Sequence, residues 1–229
     1  FYKKTNQRAL KMPSRLIFVL CVVVLISACG GGGGTSADPN QSFSLSKLQS
    51  TTLGTTYSAQ LTGIDSRGNT YTGSLAQANR TQTMLNGVLV TPQDVIINLS
   101  GGGTSVTVTG TSNLDSSGNL ISSVNQTTGT TCAPVSPGKI PVTVKIGDFG
   151  ILATEVCSDN TTEETNWRVE DAGNGNIRLV QNAIDKNGLN TITSSADVTF
   201  VIDGNGNIVS FKTVFTTLSN NFTLTYQSL

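Results

Sequence analysis

The sequence is poor in the residues that usually carry catalysis. It contains no histidine, and only 12% of its 229 residues are charged and 6% are aromatic. Without imidazole, the usual Ser-His-Asp and Cys-His nucleophiles are excluded, and so is a zinc site that needs histidine ligands. No segment beyond residue 28 carries the apolar period of an amphipathic helix. The chain therefore has few routes to enzymatic chemistry and little tendency to form helices.

Threonine and turn-forming residues dominate what is present. The sequence has 33 Thr and 24 Gly, and Thr alternates with apolar residues in segments such as 222–226. Turns of the type Asp-x-x-Gly separate these segments, and this pattern is typical of hairpins. The turns are predicted to begin at Asp65, Asp115, Asp171, Asp185 and Asp203. We predict an all-β fold, an antiparallel sandwich or barrel-like set of sheets with about 10–13 strands.

The N-terminal residues have the features of an export signal. An apolar run of about ten residues, 16–25, follows Arg15, and it is shorter than the roughly 20 residues that a transmembrane helix needs. Small residues then precede Cys29. These features predict a secretory signal peptide over residues 1–28, with translation starting at Met12.

The end of this segment, Ile26-Ser27-Ala28-Cys29, resembles the bacterial lipobox, and five glycines follow it. Over residues 12–34 the chain resembles proteobacterial outer-membrane lipoproteins that begin with Cys and a glycine run. The resemblance implies acylation of Cys29 by palmitate or a similar chain, and a flexible tether over residues 29–42. It also implies a lipid anchor in the outer membrane, because Gly30 rather than Asp follows the Cys. The face of that membrane is left open, and an ordinary signal peptide with an accidental Cys is the alternative.

Removal of the signal changes the charge of the protein. The full sequence has 14 basic and 14 acidic residues, whereas the part beyond residue 28 has nine basic and 14 acidic residues. The resulting net charge of about −5 favours solubility and disfavours binding to nucleic acid.

Two further cysteines, Cys132 and Cys157, lie in the body of the chain. In an exported protein such a pair predicts a disulfide, and closing this loop stabilises the fold by about 3 kcal/mol in the chain-entropy model. Free thiols and a metal site are the alternatives, but two Cys without His do not complete a zinc shell.

The body also has a pattern of internal repetition. Residues 106–123 resemble residues 195–210, with an Asp-Gly turn in the same place. We predict two tandem β modules, residues 43–133 and 134–229, which follow the signal and the tether. Chance similarity between hairpins of one composition is the alternative.

Few residues invite a more specific chemistry. The Asp171 and Asp203 turns have the oxygen-rich composition of calcium loops, but hairpin turns explain them without a metal. Ser44 and Lys47 match the S-x-x-K spacing of penicillin-recognising enzymes, without helical support or partner motifs. Trp167, the only Trp, is either a core residue or a contact for a ligand.

Acidic residues offer one enzymatic alternative. A pair of carboxylates could hydrolyse a glycosidic bond, and the candidates are Glu155, Glu163, Glu164, Glu170 or an Asp. Glu163 and Glu164 are adjacent, so on a strand they point to opposite faces.

The sequence therefore predicts a membrane-anchored envelope lipoprotein whose β body is a non-enzymatic binding or structural module, without cofactor or metal. An envelope protein or a glycan is the expected partner, and no nucleic acid. The alternatives are an enzyme acting on envelope polysaccharide and a carrier of an apolar ligand. If the protein is an enzyme, two carboxylates should lie in one cleft. If it is a carrier, the barrel should be closed and have an apolar interior. If it is a binding module, we expect an aromatic surface patch or exposed strand edges.

Overall fold

The computed structural model of the chain describes Asp38, residues 40–49 and residues 56–229. The predicted signal peptide, Cys29 and most of the predicted tether lie outside these residues. The described residues contain no helix with the length and hydrophobicity needed to span a membrane.

The described chain consists of strands joined by turns. The strands are β1 (Phe43–Ser44), β2 (Thr56–Asp65), β3 (Thr70–Asn79), β4 (Thr83–Leu85), β5 (Val88–Gly101), β6 (Thr104–Leu114), β7 (Leu120–Asn125), β8 (Thr130–Pro137), β9 (Thr143–Val144), β10 (Phe149–Cys157), β11 (Thr162–Gly173), β12 (Asn176–Lys186), β13 (Ile192–Ile202), β14 (Ile208–Thr217) and β15 (Phe222–Ser228).

Twelve of these strands form a closed antiparallel barrel. Neighbours follow the order β3-β2-β15-β14-β13-β12-β11-β10-β8-β7-β6-β5, and pairing of β3 with β5 closes the ring. The first barrel strand, β2, pairs with the last strand of the chain, β15. The prediction of an all-β, antiparallel, barrel-like fold is confirmed.

Alternation of residues along the strands creates an apolar interior. On β15, Phe222, Leu224 and Tyr226 are buried, whereas the intervening Thr side chains are only partly buried. The aromatic rings of Tyr57, Phe211 and Tyr226 meet edge to face, with centroids 6.4 Å apart in each contact. Burial raises the pKa of Tyr57 to about 12. Protein side chains thus fill the region that the barrel encloses.

The Asp-x-x-Gly turns repeat one local structure. In the turns that begin at Asp65, Asp115 and Asp203, one carboxylate oxygen accepts backbone N–H bonds from the second and fourth residues after the Asp. The other oxygen accepts a bond from the side-chain amide of the Asn at the fourth position. The Gly between them has a positive φ, which explains its presence there. These hydrogen bonds lower the pKa of each Asp carboxyl against the opposing effect of burial.

The predicted turn beginning at Asp185 is wrong. Asp185 lies within β12 and is buried, and the turn is built instead by Asn187, whose side-chain oxygen accepts bonds from the backbone N–H groups of Leu189 and Thr191. Asn190 takes the positive φ there, at 59°. Asn and Asp side chains are both suited to accept the hydrogen bonds of a turn. Here the alternation of β12 directs Asp185 into the barrel, and Asn187, two residues later, forms the turn.

The connections alternate between two ends of the barrel because its strands are antiparallel. The turns 115–119, 173–176 and 203–207 lie at one end, here called the capped end, and the turns 65–69, 157–162 and 186–192 lie at the far end. Residues 40–49, the capping segment, close the capped end. Its strand β1 pairs with β9, with Phe43 opposite Val144.

The capping segment is part of the core. Phe43 and Leu45 are 0% exposed and Leu48 is 2% exposed. Gln49 donates a bond of 2.8 Å to the backbone oxygen of Ile140, and Lys47 donates to the side-chain oxygen of Asn207. A pocket of about 100 Å³ lies beside Leu48, between the segment and the wall. Residues 40–49 are therefore anchored in the barrel.

The predicted boundary between two modules falls within β8, in the middle of one continuous sheet. The segments 106–123 and 195–210, on which the repetition rests, correspond to β6 with β7 and to β13 with β14. The division into residues 43–133 and 134–229 stays a prediction.

Candidate functional site

Trp167 lies at the wall of the barrel, on β11. Its side chain is directed inward and only 6% exposed. Gly150 is its register partner on β10, and the indole lies 3.0–3.1 Å from the position that a Cβ on Gly150 would take. Because Gly150 has no side chain, the indole ring of Trp167 can pack closely against the backbone of β10. Trp167 therefore occupies a core position.

A pocket of about 450 Å³ opens on the outer wall at this place. Phe149 and Ile151, which flank Gly150, are 80% and 53% exposed. The strand register sets Phe149 opposite Arg168, and Ile151 opposite Asn166, on the same outer face. The lining residues, here called the Phe149 pocket, are Phe149, Gly150, Ile151, Asn166, Trp167, Arg168 and Asn182. Trp167 was predicted from the sequence as a possible ligand contact, whereas the more exposed Phe149 was not predicted.

Carboxylates hold the polar groups of the Phe149 pocket in place. Arg168 donates to Glu170 at 2.7 Å, and this bond is the main cause that lowers the pKa of the Glu170 carboxyl. The amide of Asn166 donates to Glu164 at 3.0 Å, and the amide of Asn182 donates to Asp197 at 2.8 Å.

None of these bonds uses the carbonyl oxygen of either amide. The Phe149 pocket therefore presents an aromatic ring and an aliphatic side chain beside oriented donors and acceptors. Pockets of this volume and mixed lining suit small ligands and sugar rings.

A second group of polar residues lies inside the barrel. Glu155, Glu163 and Asp185 occupy adjacent register positions on β10, β11 and β12, and they are 2%, 1% and 5% exposed. Ser123 donates to Glu155 at 2.8 Å, and Ser194 donates to Asp185. Burial raises the pKa of Glu155 to about 6, the negative charge of Asp185 adds to this effect, and the Ser123 bond opposes it.

The candidate carboxylates for glycoside hydrolysis are divided between the two faces of the wall. Glu163 points inward and Glu164 outward, in agreement with the predicted alternation. Glu164 lies 3.5 Å from Lys186, and Glu170 pairs with two arginines. Glu155 and Glu163 share the interior but are closed off from solvent, whereas a polysaccharide chain needs an open cleft.

The turns that suggested calcium use their carboxylates internally. Asp203 accepts three bonds from its own turn, and Asp171 accepts one from the N–H of Gly173. Across Asp38, residues 40–49 and residues 56–229, no group of three or more acidic or Cys side chains is arranged to hold a metal ion.

The predicted disulfide between Cys132 and Cys157 is confirmed. The two residues are directly opposite one another on β8 and β10, with a Cα–Cα distance of 4.0 Å. Both are buried. The bond therefore joins two strands that are neighbours in the wall but are separated in sequence by β9.

No family model, curated protein or solved structure matches this chain. Cys29, the predicted lipid attachment site, lies before the first described residue.

Proposed function

We propose that the chain is a lipid-anchored lipoprotein of the bacterial outer membrane, and that its barrel is a non-enzymatic module that binds an envelope glycan through the Phe149 pocket. The Phe149 pocket carries the second half of this proposal. It places an aromatic ring that is 80% exposed next to the side chains of Arg168 and two Asn. A sugar ring has apolar faces that can stack on an aromatic side chain, and hydroxyl groups at its edge that can form hydrogen bonds with Arg and Asn.

The lipid anchor rests on the lipobox-like residues and the glycine run. Fractionation of bacteria that express the full chain tests it. The wild-type protein is expected in the outer-membrane fraction, and Cys29→Ser is expected in the soluble fraction. Retention of Cys29→Ser in membranes would count against acylation at this residue.

The glycan partner can be tested with purified envelope oligosaccharides on an array, followed by titration of the best ligand. Phe149→Ala removes the exposed ring and is expected to weaken binding about fivefold, since such contacts contribute about 1 kcal/mol. Leu189→Ala is the matched control, because Leu189 is 87% exposed in a turn at the far end. Equal binding by both variants, or capture of a protein and no glycan in cross-linking, would refute the glycan assignment.

A carrier of an apolar ligand is the second candidate, because the barrel is closed and one part of its interior is an apolar cluster. Its interior is occupied by side chains such as Phe200, Phe215 and Tyr226, together with Phe43 of the capping segment. A carrier would have to displace this segment to admit a ligand. Titration with a fluorescent fatty acid distinguishes the candidates, since only a carrier is expected to give saturable emission enhancement.

A further inference from the structure

One hairpin of the chain projects beyond the closed barrel. Strand β4 pairs only with β5, in the register Thr83 to Val90, Met84 to Leu89 and Leu85 to Val88. Toward the capped end, pairing of β5 with β3 stops at Gln93 and pairing with β6 stops at Thr91. Residues 88–90 of β5 therefore pair with β4 alone. Residues 83–90 are here called the apolar hairpin.

The apolar hairpin has apolar side chains on both faces. Met84 and Leu89 share one face and are 63% and 47% exposed. On the opposite face Val88 is 39% exposed, whereas Leu85 is partly buried and Val90 is fully buried, so the exposed apolar surface lies mainly on the Met84 face. Asn86 and Gly87 form the turn with φ of 50° and 82°, which is the geometry of a tight two-residue hairpin. A two-stranded ribbon is marginally stable in water alone, and exposed apolar surface of this kind marks a contact site.

Charge is also absent from this part of the chain. No charged residue occurs between Arg80 and Asp94, and these two side chains form an ion pair of 2.8 Å at the base of the hairpin. The hairpin therefore presents an uncharged turn flanked by apolar side chains, above a charged base. A surface of this composition suits the interior of a lipid headgroup layer better than a polar protein surface.

The apolar hairpin and the N-terminal part of the chain lie at the same end of the barrel. The base residue Gln93 lines the small pocket at the capped end together with Leu48 and Gln49 of the capping segment. Eight residues, 30–37, separate Cys29 from Asp38, the first described residue. Even a fully extended chain of this length spans only about 30 Å.

We propose that the tip of the apolar hairpin inserts into the bilayer that holds the lipidated Cys29, so that the capped end of the barrel faces the membrane. The inference rests on the lipid anchor proposed above. The short chain to Asp38 limits the distance between bilayer and hairpin, and the apolar tip gives that contact a favourable free energy. The far end then faces away from the membrane.

Tryptophan reporters test this orientation in the lipidated full-length protein, reconstituted in phosphatidylcholine vesicles with brominated acyl chains. Leu89→Trp places the reporter at the hairpin, and Leu189→Trp places it at the far end as the matched control. Trp167 contributes the same background to both. We expect blue-shifted emission and several-fold stronger bromine quenching for Leu89→Trp. Equal quenching of the two variants in vesicles that carry the protein would refute the hairpin inference alone.

Two further outcomes distinguish bilayer insertion from a missing anchor and from self-association. If neither variant floats with the vesicles, the lipid anchor fails and the orientation fails with it. The unlipidated Cys29→Ser protein serves to detect self-association by sedimentation velocity. A dimer that disappears when Met84→Asn and Leu89→Asn are added would overturn the proposal in favour of a second copy of this chain at the hairpin. Monomeric Cys29→Ser protein, with hairpin quenching in the lipidated form, supports bilayer insertion.

Discussion

The buried carboxyl of Glu155 is expected to make the stability of the barrel depend on pH. Burial raises its pKa from 4.5 to about 6, and the nearby Asp185 charge acts in the same direction. In the unfolded chain the group ionises near pH 4.5, whereas the folded chain retains the proton until about pH 6. Stability from this group is therefore fully present below pH 4.5 and is lost as the pH rises through about 6.

The difference between the two pKa values sets the size of the effect. It corresponds to about 2 kcal/mol of unfolding free energy, lost between pH 4.5 and about 6. Because the sequence contains no histidine, no imidazole titration overlaps this interval. Glu155→Gln keeps an oxygen that can accept the hydrogen bond from Ser123, but the new side chain cannot ionise. This variant should be more stable than the wild type at neutral pH by up to about 2 kcal/mol.

Urea unfolding at a series of pH values measures the effect. Glu164→Gln is the matched control, because Glu164 lies on the outer face and the Asn166 bond lowers its pKa below the interval in question. The control should keep the wild-type slope between pH 4.5 and about 6, and Glu155→Gln should lose most of it. A wild-type unfolding free energy that stays constant or rises over this interval would refute the reasoning.

Three further predictions concern stability in urea at neutral pH. Replacement of both Cys132 and Cys157 by Ala should lower the unfolding free energy by about 3 kcal/mol, since the bond closes a loop with a sequence separation of 25; an unchanged midpoint would contradict this. Gln181 is fully buried and neither atom of its amide has a hydrogen-bond partner among the described residues, so Gln181→Met should raise the unfolding free energy by about 1 kcal/mol. A loss of stability would show that water satisfies the amide. Phe43→Ala should cost about 3–5 kcal/mol, whereas Phe149→Ala at an exposed site should change stability by less than about 0.5 kcal/mol. Similar losses in both would contradict the role of the capping segment.

Local patterns in the sequence were enough to predict several of the hairpins. At Asp65, Asp115 and Asp203, an Asp followed three residues later by Gly builds a turn whose hydrogen bonds are internal to five residues. The same spacing at Asp185 was misleading, because Asp185 lies inside β12. The disulfide was predicted on a different basis, because Cys132 and Cys157 are the two cysteines in the body of a chain that is expected to be exported. The turns depend on neighbours in the sequence, so the local residues are enough to predict them.

Closure and capping of the barrel depend on distant pairs and could not be predicted from the sequence in the same way. The pairing of β2 with β15 and that of Phe43 with Val144 join segments that lie far apart in the sequence, and they depend on the register of the strands between them. Residues 40–42 were assigned to the flexible tether and residue 43 to the first module, without any signal that the next few residues fill the end of a barrel.

The candidate site was predicted only in part. Trp167 stood out because it is the only Trp. Phe149 lies between Asp148 and Gly150, and this setting resembles a turn; only the register of β10 directs its ring outward. The burial of Glu155 likewise depends on the strand phase, which composition does not reveal.

The seam between β2 and β15 has a kinetic consequence. It joins residues 61–65 to residues 224–228, so the ring cannot close until β15 has been made. Pairing of such distant segments makes folding slow. For a chain exported as proposed above, this delay would keep the polypeptide unfolded during passage through a membrane. A chain that lacks its last strand would instead leave β2 and β14 as open edges, and such edges promote aggregation.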